Sequence, residues 1–203
     1  MTRFPLFTLL LCSLASGLVL LPPAAHNILY FNYDQLQYGR WWGLLTGHWL
    51  HADFQHMIWN ISALAILGTM IERRSRTLLL WSIVVGMLSV DLLLLSPFSD
   101  LQRYCGLSGL LNTLLGVVLY LCWRETRSKL VLLTAALSVG KIALEMYSGQ
   151  SIFTEIAWPP FAIAHLAGIM GAPLAVMWWA RERHELPNLN NNKGIQHEHL
   201  VAS

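Results

Sequence analysis

Charge is what this chain has least of. Only 12% of its 203 residues are Asp, Glu, Lys or Arg, against about a quarter in a soluble domain of ordinary composition. That scarcity, with 55% hydrophobic residues, excludes a conventional soluble globular domain. The formal net charge is only +2, so the electrostatic footprint of a nucleic-acid binder is missing. Cysteine is sparse too. Cys12, Cys105 and Cys122 have no metal-ligand spacing, and no HExxH run exists to mark a zinc protease. An internal repeat, the usual sign of a secondary transporter, is also lacking.

What the chain has instead is long apolar runs. Six stand out, at Phe4–Leu21, Phe54–Ile71, Leu78–Leu95, Leu107–Trp123, Leu130–Tyr147 and Trp158–Ala180. Each is close to the ~20 residues that cross a bilayer core as a helix. Helices are required because lipid offers no partners to backbone polar groups. The expected class is therefore an all-α polytopic membrane protein with six transmembrane helices. The first run, behind Arg3, is read as a retained span, with a cleaved signal peptide as the alternative. Arg3, Arg73, Arg74, Arg76, Arg124, Arg127, Lys129, Arg181, Arg183 and Lys193 fall on one side of these spans, and only Arg40 and Arg103 on the other. By the positive-inside rule both termini face the cytoplasm. The outer connection Pro22–Asp53 carries Trp41, Trp42 and Trp49, suited to the membrane interface. Residues 1–183 are expected to form the membrane domain. The polar stretch 184–203, with "NLNNNKG", is expected to be a disordered cytoplasmic tail.

Three of the spans carry polar residues at one depth. Ser108 lies 16 residues before Arg124, His165 lies 16 before Arg181, and His56 lies 16 before Glu72. At about 1.5 Å per residue each sits roughly 24 Å above the inner charged boundary. In a core about 30 Å thick that is just below the outer surface. Taken singly, each has a structural explanation. A serine between glycines lets helices pack, and a lone histidine is a hydrogen-bonder. The histidine-rich "HWLHADFQHMIWN" also admits a metal or haem reading through His48, His51, His56 and His165. Together they admit chemistry. "GLSG" puts Ser108 in a first helical turn, where backbone N–H groups are unpaired and the dipole favours negative charge. Gly106 and Gly109 keep the backbone approachable. In "AHLAG", Ala164 and Gly168, like Ala167 and Gly171, have small-xxx-small spacing that lets span 6 carry His165 against a neighbour. His56 and Asn60 stand four residues apart on one helix face, and both can donate to an oxyanion.

At these residues the sequence resembles the rhomboid intramembrane serine proteases: "HMIWN" in span 2, "GLSG" opening span 4 and "AHLAG" in span 6, in that order. "GRWWGLLTGHWLHAD" is similar to the family's first outer loop, with Arg40-Trp41 in place of Trp-Arg. The resemblance implies a rhomboid-like six-helix bundle with Ser108 as nucleophile and His165 as general base and acid. It further implies an oxyanion hole of His56, Asn60 and the Ser108 backbone, with Gly106, Gly109 and Gly168 supporting. No cofactor and no metal is implied. A tyrosine that many rhomboids carry one turn after the serine is replaced by Asn112, expected to reach the second ring nitrogen of His165 and fix its tautomer. The glycine usual four residues after Gly168 is replaced by Ala172.

The compact chain, "YCGLSG", Asn112 and "GKIALEMYSG" are similar to the rhombosortase subgroup. That likeness implies a bacterial inner-membrane enzyme whose site opens to the periplasmic side. Its implied partners are lipid and single-span proteins with C-terminal Gly-Gly, transmembrane and basic tails. Lys141 and Glu145, four residues apart in span 5, are either a clasp between spans or a polar group facing the cavity, there to meet substrate or hold water. Asp91 either reaches the same layer or snorkels outward. The rival functional class is a non-catalytic rhomboid-like adaptor or chaperone for transmembrane segments.

Overall fold

The computed structural model describes residues 4–152 and 161–201, with side chains described as far as Arg181. Apart from one two-residue ladder, its regular structure is helical. Each predicted span that falls on described residues is matched by a helix. α1 covers Leu6–Leu18, ending short of the expected Leu21 ahead of Pro22-Pro23. The outer connection then folds into three short helices and a strand: α2 (Pro23–Leu29), β1 (Phe31–Asn32), α3 (Tyr33–Leu36) and α4 (Gly43–Thr46), followed by a 3₁₀ turn at Gly47–Trp49. α5 (Phe54–Glu72), α6 (Arg76–Leu94), β2 (Arg103–Tyr104), α7 (Ser108–Thr126), α8 (Lys129–Ser148) and α9 (Ala162–Val201) complete the chain.

Among the described residues four helices are long and apolar enough to cross a bilayer: α5, α6, α8 and the part of α9 from Ala162 to Arg181. α1, with 13 residues, is shorter. Trp158, the expected start of span 6, lies outside the described residues, as does Arg3. The backbone of α9 continues as helix through the stretch 184–201, for which the sequence suggests an irregular tail.

Local chemistry sets the helix ends. Asp53 accepts a hydrogen bond from the His56 amide at 2.7 Å and starts α5. Ser75 does the same for Leu78 at 3.1 Å, and Ser128 for Leu130 at 3.2 Å. Such caps satisfy amides that the helix leaves unpaired. α8 stops at Gly149, whose φ of +67° is left-handed, the usual helix-ending conformation for glycine.

α7 is the central helix, packed against α5, α6, α8 and α9. Its Leu110, Leu114 and Val117 are fully buried, at the i, i+4, i+7 spacing that puts them on one stripe. α8 touches only α7 and α9 among the larger contacts, and leaves Leu130, Leu133, Leu137 and Leu144 exposed. For a helix of this composition that face suits lipid.

Small residues bring α7 and α9 together. A side chain on Gly168 would fall on the carbonyl oxygen of Gly109, and Thr113 Oγ1 donates to the Gly168 carbonyl at 2.6 Å. The departure at Ala172 is resolved one turn along. Its methyl faces Gly116 of α7, where an added Cβ would meet it at 2.6 Å. The space that span 6 does not leave open is left open by span 4.

At the opposite end from the outer connection, α1 is held by Glu72. Its carboxylate accepts from the Phe7 amide at 3.0 Å, the Thr8 amide at 2.8 Å and Thr8 Oγ1 at 2.8 Å, and from Arg76 Nε at 3.3 Å. A fully buried carboxylate is tolerated when its oxygens are filled in this way. α1 thus borrows a neighbour's carboxylate as its N-terminal cap.

Candidate functional site

A cavity of about 400 Å³ opens between α5, α7, α8 and α9. Into it the fold brings His56 and Asn60 from α5, Ser108 and Asn112 from α7, Lys141 and Glu145 from α8, and His165 from α9. Asp91, His48 and His51, also singled out in the sequence, do not line this space. Three glycines account for the closeness. Gly106, at φ +124°, is in a conformation that side chains rarely adopt, and a Cβ there would stand 2.6 Å from His56 Cε1. Gly109 and Gly168 are the α7–α9 contact described above.

The turn before Ser108 is braced by Tyr104. This residue is 4% exposed, and its hydroxyl donates to the Gly106 carbonyl at 2.9 Å while interacting with the Gly109 amide. Burial raises its phenol above the ordinary range, with the Cys105 and Asp91 charges adding to that. It therefore stays a neutral donor. β2 pairs antiparallel with β1, Phe31 opposite Tyr104, and the Gly106 amide donates to the Gly47 carbonyl at 3.0 Å. The outer connection is thereby fastened to the residues that lead into α7. Asp91 contributes to the same brace: its Oδ1 is 3.1 Å from His48 Nε2, and the His48 ring meets Tyr104 edge-on with centroids 5.4 Å apart. Sequence reasoning missed Tyr104 and His48 as supports of this turn. The adjacency of Tyr104 to "CGLSG" was the available signal.

α7 starts without a side-chain cap, Leu107 occupying the cap position. Asn60 Nδ2 and His56 Nδ1 are buried and have no hydrogen-bond partner among the described residues. An unpaired buried polar atom is costly, and both nitrogens are free to donate to or accept from a group that enters the cavity.

Asn112 lines the cavity but does not make the contact to His165 that the sequence suggested. Its Nδ2 donates back one turn to the Ser108 carbonyl at 2.8 Å, a local bond that its short side chain reaches first. The nitrogen of His165 expected to meet it, Nδ1, lies 3.3 Å from Glu145 Oε2 instead. Glu145 itself is 1% exposed. Its Oε1 accepts from Lys141 Nζ at 2.5 Å and from the Ile152 amide at 3.0 Å. Among the described residues no group of three or more His, Cys, Asp and Glu is arranged to hold a metal ion.

Two groups outside the long helices give checks of this packing. Burial, with Asp53 adding to it, pushes the Cys105 thiol up to about 12. Alkylation needs the thiolate. Iodoacetamide at pH 8 is expected to modify Cys105 on the order of 10- to 1,000-fold more slowly than a free cysteine peptide; mass spectrometry reads this, and labelling at the free-thiol rate would contradict the packing.

His51, 5% exposed and with no hydrogen bond to either ring nitrogen among the described residues, is lowered to about 3 by burial and then by the neighbouring His56. The unfolded chain takes up a proton at His51 near the ordinary 6.5, whereas the folded chain does not until about 3. Stability therefore falls as pH drops through that window, by up to about 1.4 kcal/mol per unit. Thermal unfolding in detergent is expected to show a lower Tm at pH 5 than at pH 7, with a smaller difference in His51→Gln.

The apolar helices and the buried polar cavity define a multi-pass helical membrane protein. Residues 38–181 match the Rhomboid domain. The chain belongs to the rhomboid family, whose members are generally intramembrane serine proteases acting on membrane-protein substrates. No curated protein matches it individually.

Proposed function

We propose that this rhomboid protein is an active intramembrane serine endopeptidase using Ser108 and His165. The observation that carries the reading is the shared cavity. One space is lined by a serine in an uncapped helical first turn, a histidine from the facing helix, and two further donors, His56 and Asn60, with unpaired buried nitrogens. Ser108 Oγ attacks the scissile carbonyl carbon as His165 takes its proton. The oxyanion that forms is held by His56, Asn60 and the Ser108 amide. His165 then gives the proton to the leaving amine, and water releases the acyl group by the same steps in reverse.

The proposed bundle has six spans, α1 and α5 to α9, with both termini cytoplasmic. Arg74, paired through Nε with Glu125 Oε1 at 3.0 Å, lies at the basic end, and the cavity lies toward the other. A site at that depth in a bacterial inner membrane faces the periplasm. The proposed substrates are single-span proteins whose C-terminal tails combine Gly-Gly, an apolar segment and basic residues. That choice rests on "YCGLSG", Asn112 and the Lys141–Glu145 pair. Their helix must unwind to present a carbonyl, which glycine makes easy.

A fluorophosphonate probe tests the chemistry without a substrate. Labelling of the intact protein, absent in Ser108→Ala and insensitive to chelators, is the expected result. Equal labelling of the two proteins would overturn the assignment and leave the adaptor reading.

A further inference from the structure

We infer that Glu145 is the positioning residue for His165, making the site a Ser108–His165–Glu145 triad rather than a dyad; this rests on the function proposed above. Three observations carry it. Glu145 Oε2 is 3.3 Å from His165 Nδ1, bridging α8 and α9. The Glu145 side chain is fully shielded, while that of His165 is 15% exposed at the cavity. The other carboxylate oxygen is filled by Lys141 Nζ at 2.5 Å and the Ile152 amide at 3.0 Å.

The division of labour follows from these contacts. A buried carboxylate with no cation beside it would neutralise itself. The Lys141 ammonium and the Ile152 amide keep Glu145 ionised and fix its plane. An ionised carboxylate accepts and cannot donate, so the proton on the facing imidazole sits on Nδ1. That leaves Nε2 as the nitrogen able to take the Ser108 proton. When Nε2 is protonated, the imidazolium lies against a fixed negative charge. Glu145 gains no proton at any step. Lys141 acts one contact further out, by holding the carboxylate.

The other charged or titratable groups around this corner are already engaged or more distant. Asp91 is paired with His48. His56 stands across the cavity on α5, and Arg103 lines its rim. Of the acidic groups, Glu145 alone is within hydrogen-bonding distance of the His165 ring among the described contacts.

A fluorophosphonate separates positioning from mere support, because its capture needs both the serine and the base. In purified full-length protein, Glu145→Gln is expected to lower the maximal phosphonylation rate by about 10²- to 10⁴-fold. The half-saturating probe concentration should stay within about twofold of the parent, since binding does not use His165 Nδ1. Glu145→Asp keeps the carboxylate and should recover at least tenfold of that loss. Lys141→Met should fall between Glu145→Gln and the parent. Glu145→Gln reacting at the parental maximal rate overturns the triad. So does a change in half-saturation matched by a fall in Tm, with Glu145→Asp no better than Glu145→Gln, which is the signature of a clasp between helices. Should Glu145→Gln not fold, Glu145→Asp and Lys141→Met decide by the same two readouts. The two claims fail differently: labelling that survives in Ser108→Ala removes the protease reading and the triad with it, whereas loss in Ser108→Ala with full rate in Glu145→Gln removes the triad alone.

Discussion

Replacing Ser108 by alanine is expected to abolish cleavage of a co-expressed single-span substrate while the protein still accumulates in the membrane. The expected loss is on the order of 10³-fold or more, because the proposed nucleophile is removed and the remaining oxyanion donors can then assist only direct attack by water. Stability should change little. Ser108 lines a cavity rather than filling a core position, and alanine is the better helix former. The comparison is read by immunoblot of the substrate in cells making either version. Full cleavage by the alanine variant would remove Ser108 from the mechanism.

Gly168→Val is expected to be the most damaging change outside the polar cavity. The atom in the way is the Gly109 carbonyl oxygen, part of a helix backbone that has no rotamer to adopt. Overpacking against side chains typically costs about 1–3 kcal/mol; against backbone the two helices must separate, so about 3 kcal/mol or more is expected. Separation would also break the 2.6 Å bond from Thr113 to the Gly168 carbonyl and carry His165 away from Ser108. Thermal unfolding in detergent and fluorophosphonate capture should fall together. Gly140 in α8 is the control: nothing stands within 4 Å of a Cβ there, so Gly140→Ala should leave Tm equal or higher. Equal tolerance of both changes would contradict the close α7–α9 contact.

What the sequence disclosed about this site was its level, and what it withheld was rotation. Counting residues from a charged boundary puts Ser108, His56 and His165 at one depth, and all three line one cavity. Depth is a linear property of a helix and survives errors of a residue or two. Which side chain meets His165 Nδ1 depends on how α8 turns about its axis, and one position around a helix is about 100°. Asn112 and Glu145 were both candidates to face His165, and only packing chose between them. The β1–β2 ladder is two residues a side, too short for any alternation to appear. Tyr104 was hidden for a different reason: nothing in its spacing shows that its hydroxyl reaches the Gly106 carbonyl. The helix positions were the easiest part, since runs of ~20 apolar residues leave few alternatives. The end of α1 was the hardest, because Pro22 and Pro23 follow the apolar run closely.

The Gly116–Ala172 contact has a consequence for how such interfaces are compared between proteins. One methyl group, from Ala172, occupies a gap where a second from position 116 would stand 2.6 Å away. What the interface specifies there is a volume summed over two facing positions, not the identity of a residue at either. Read column by column, Ala172 is a missing glycine; read as a pair, nothing is missing.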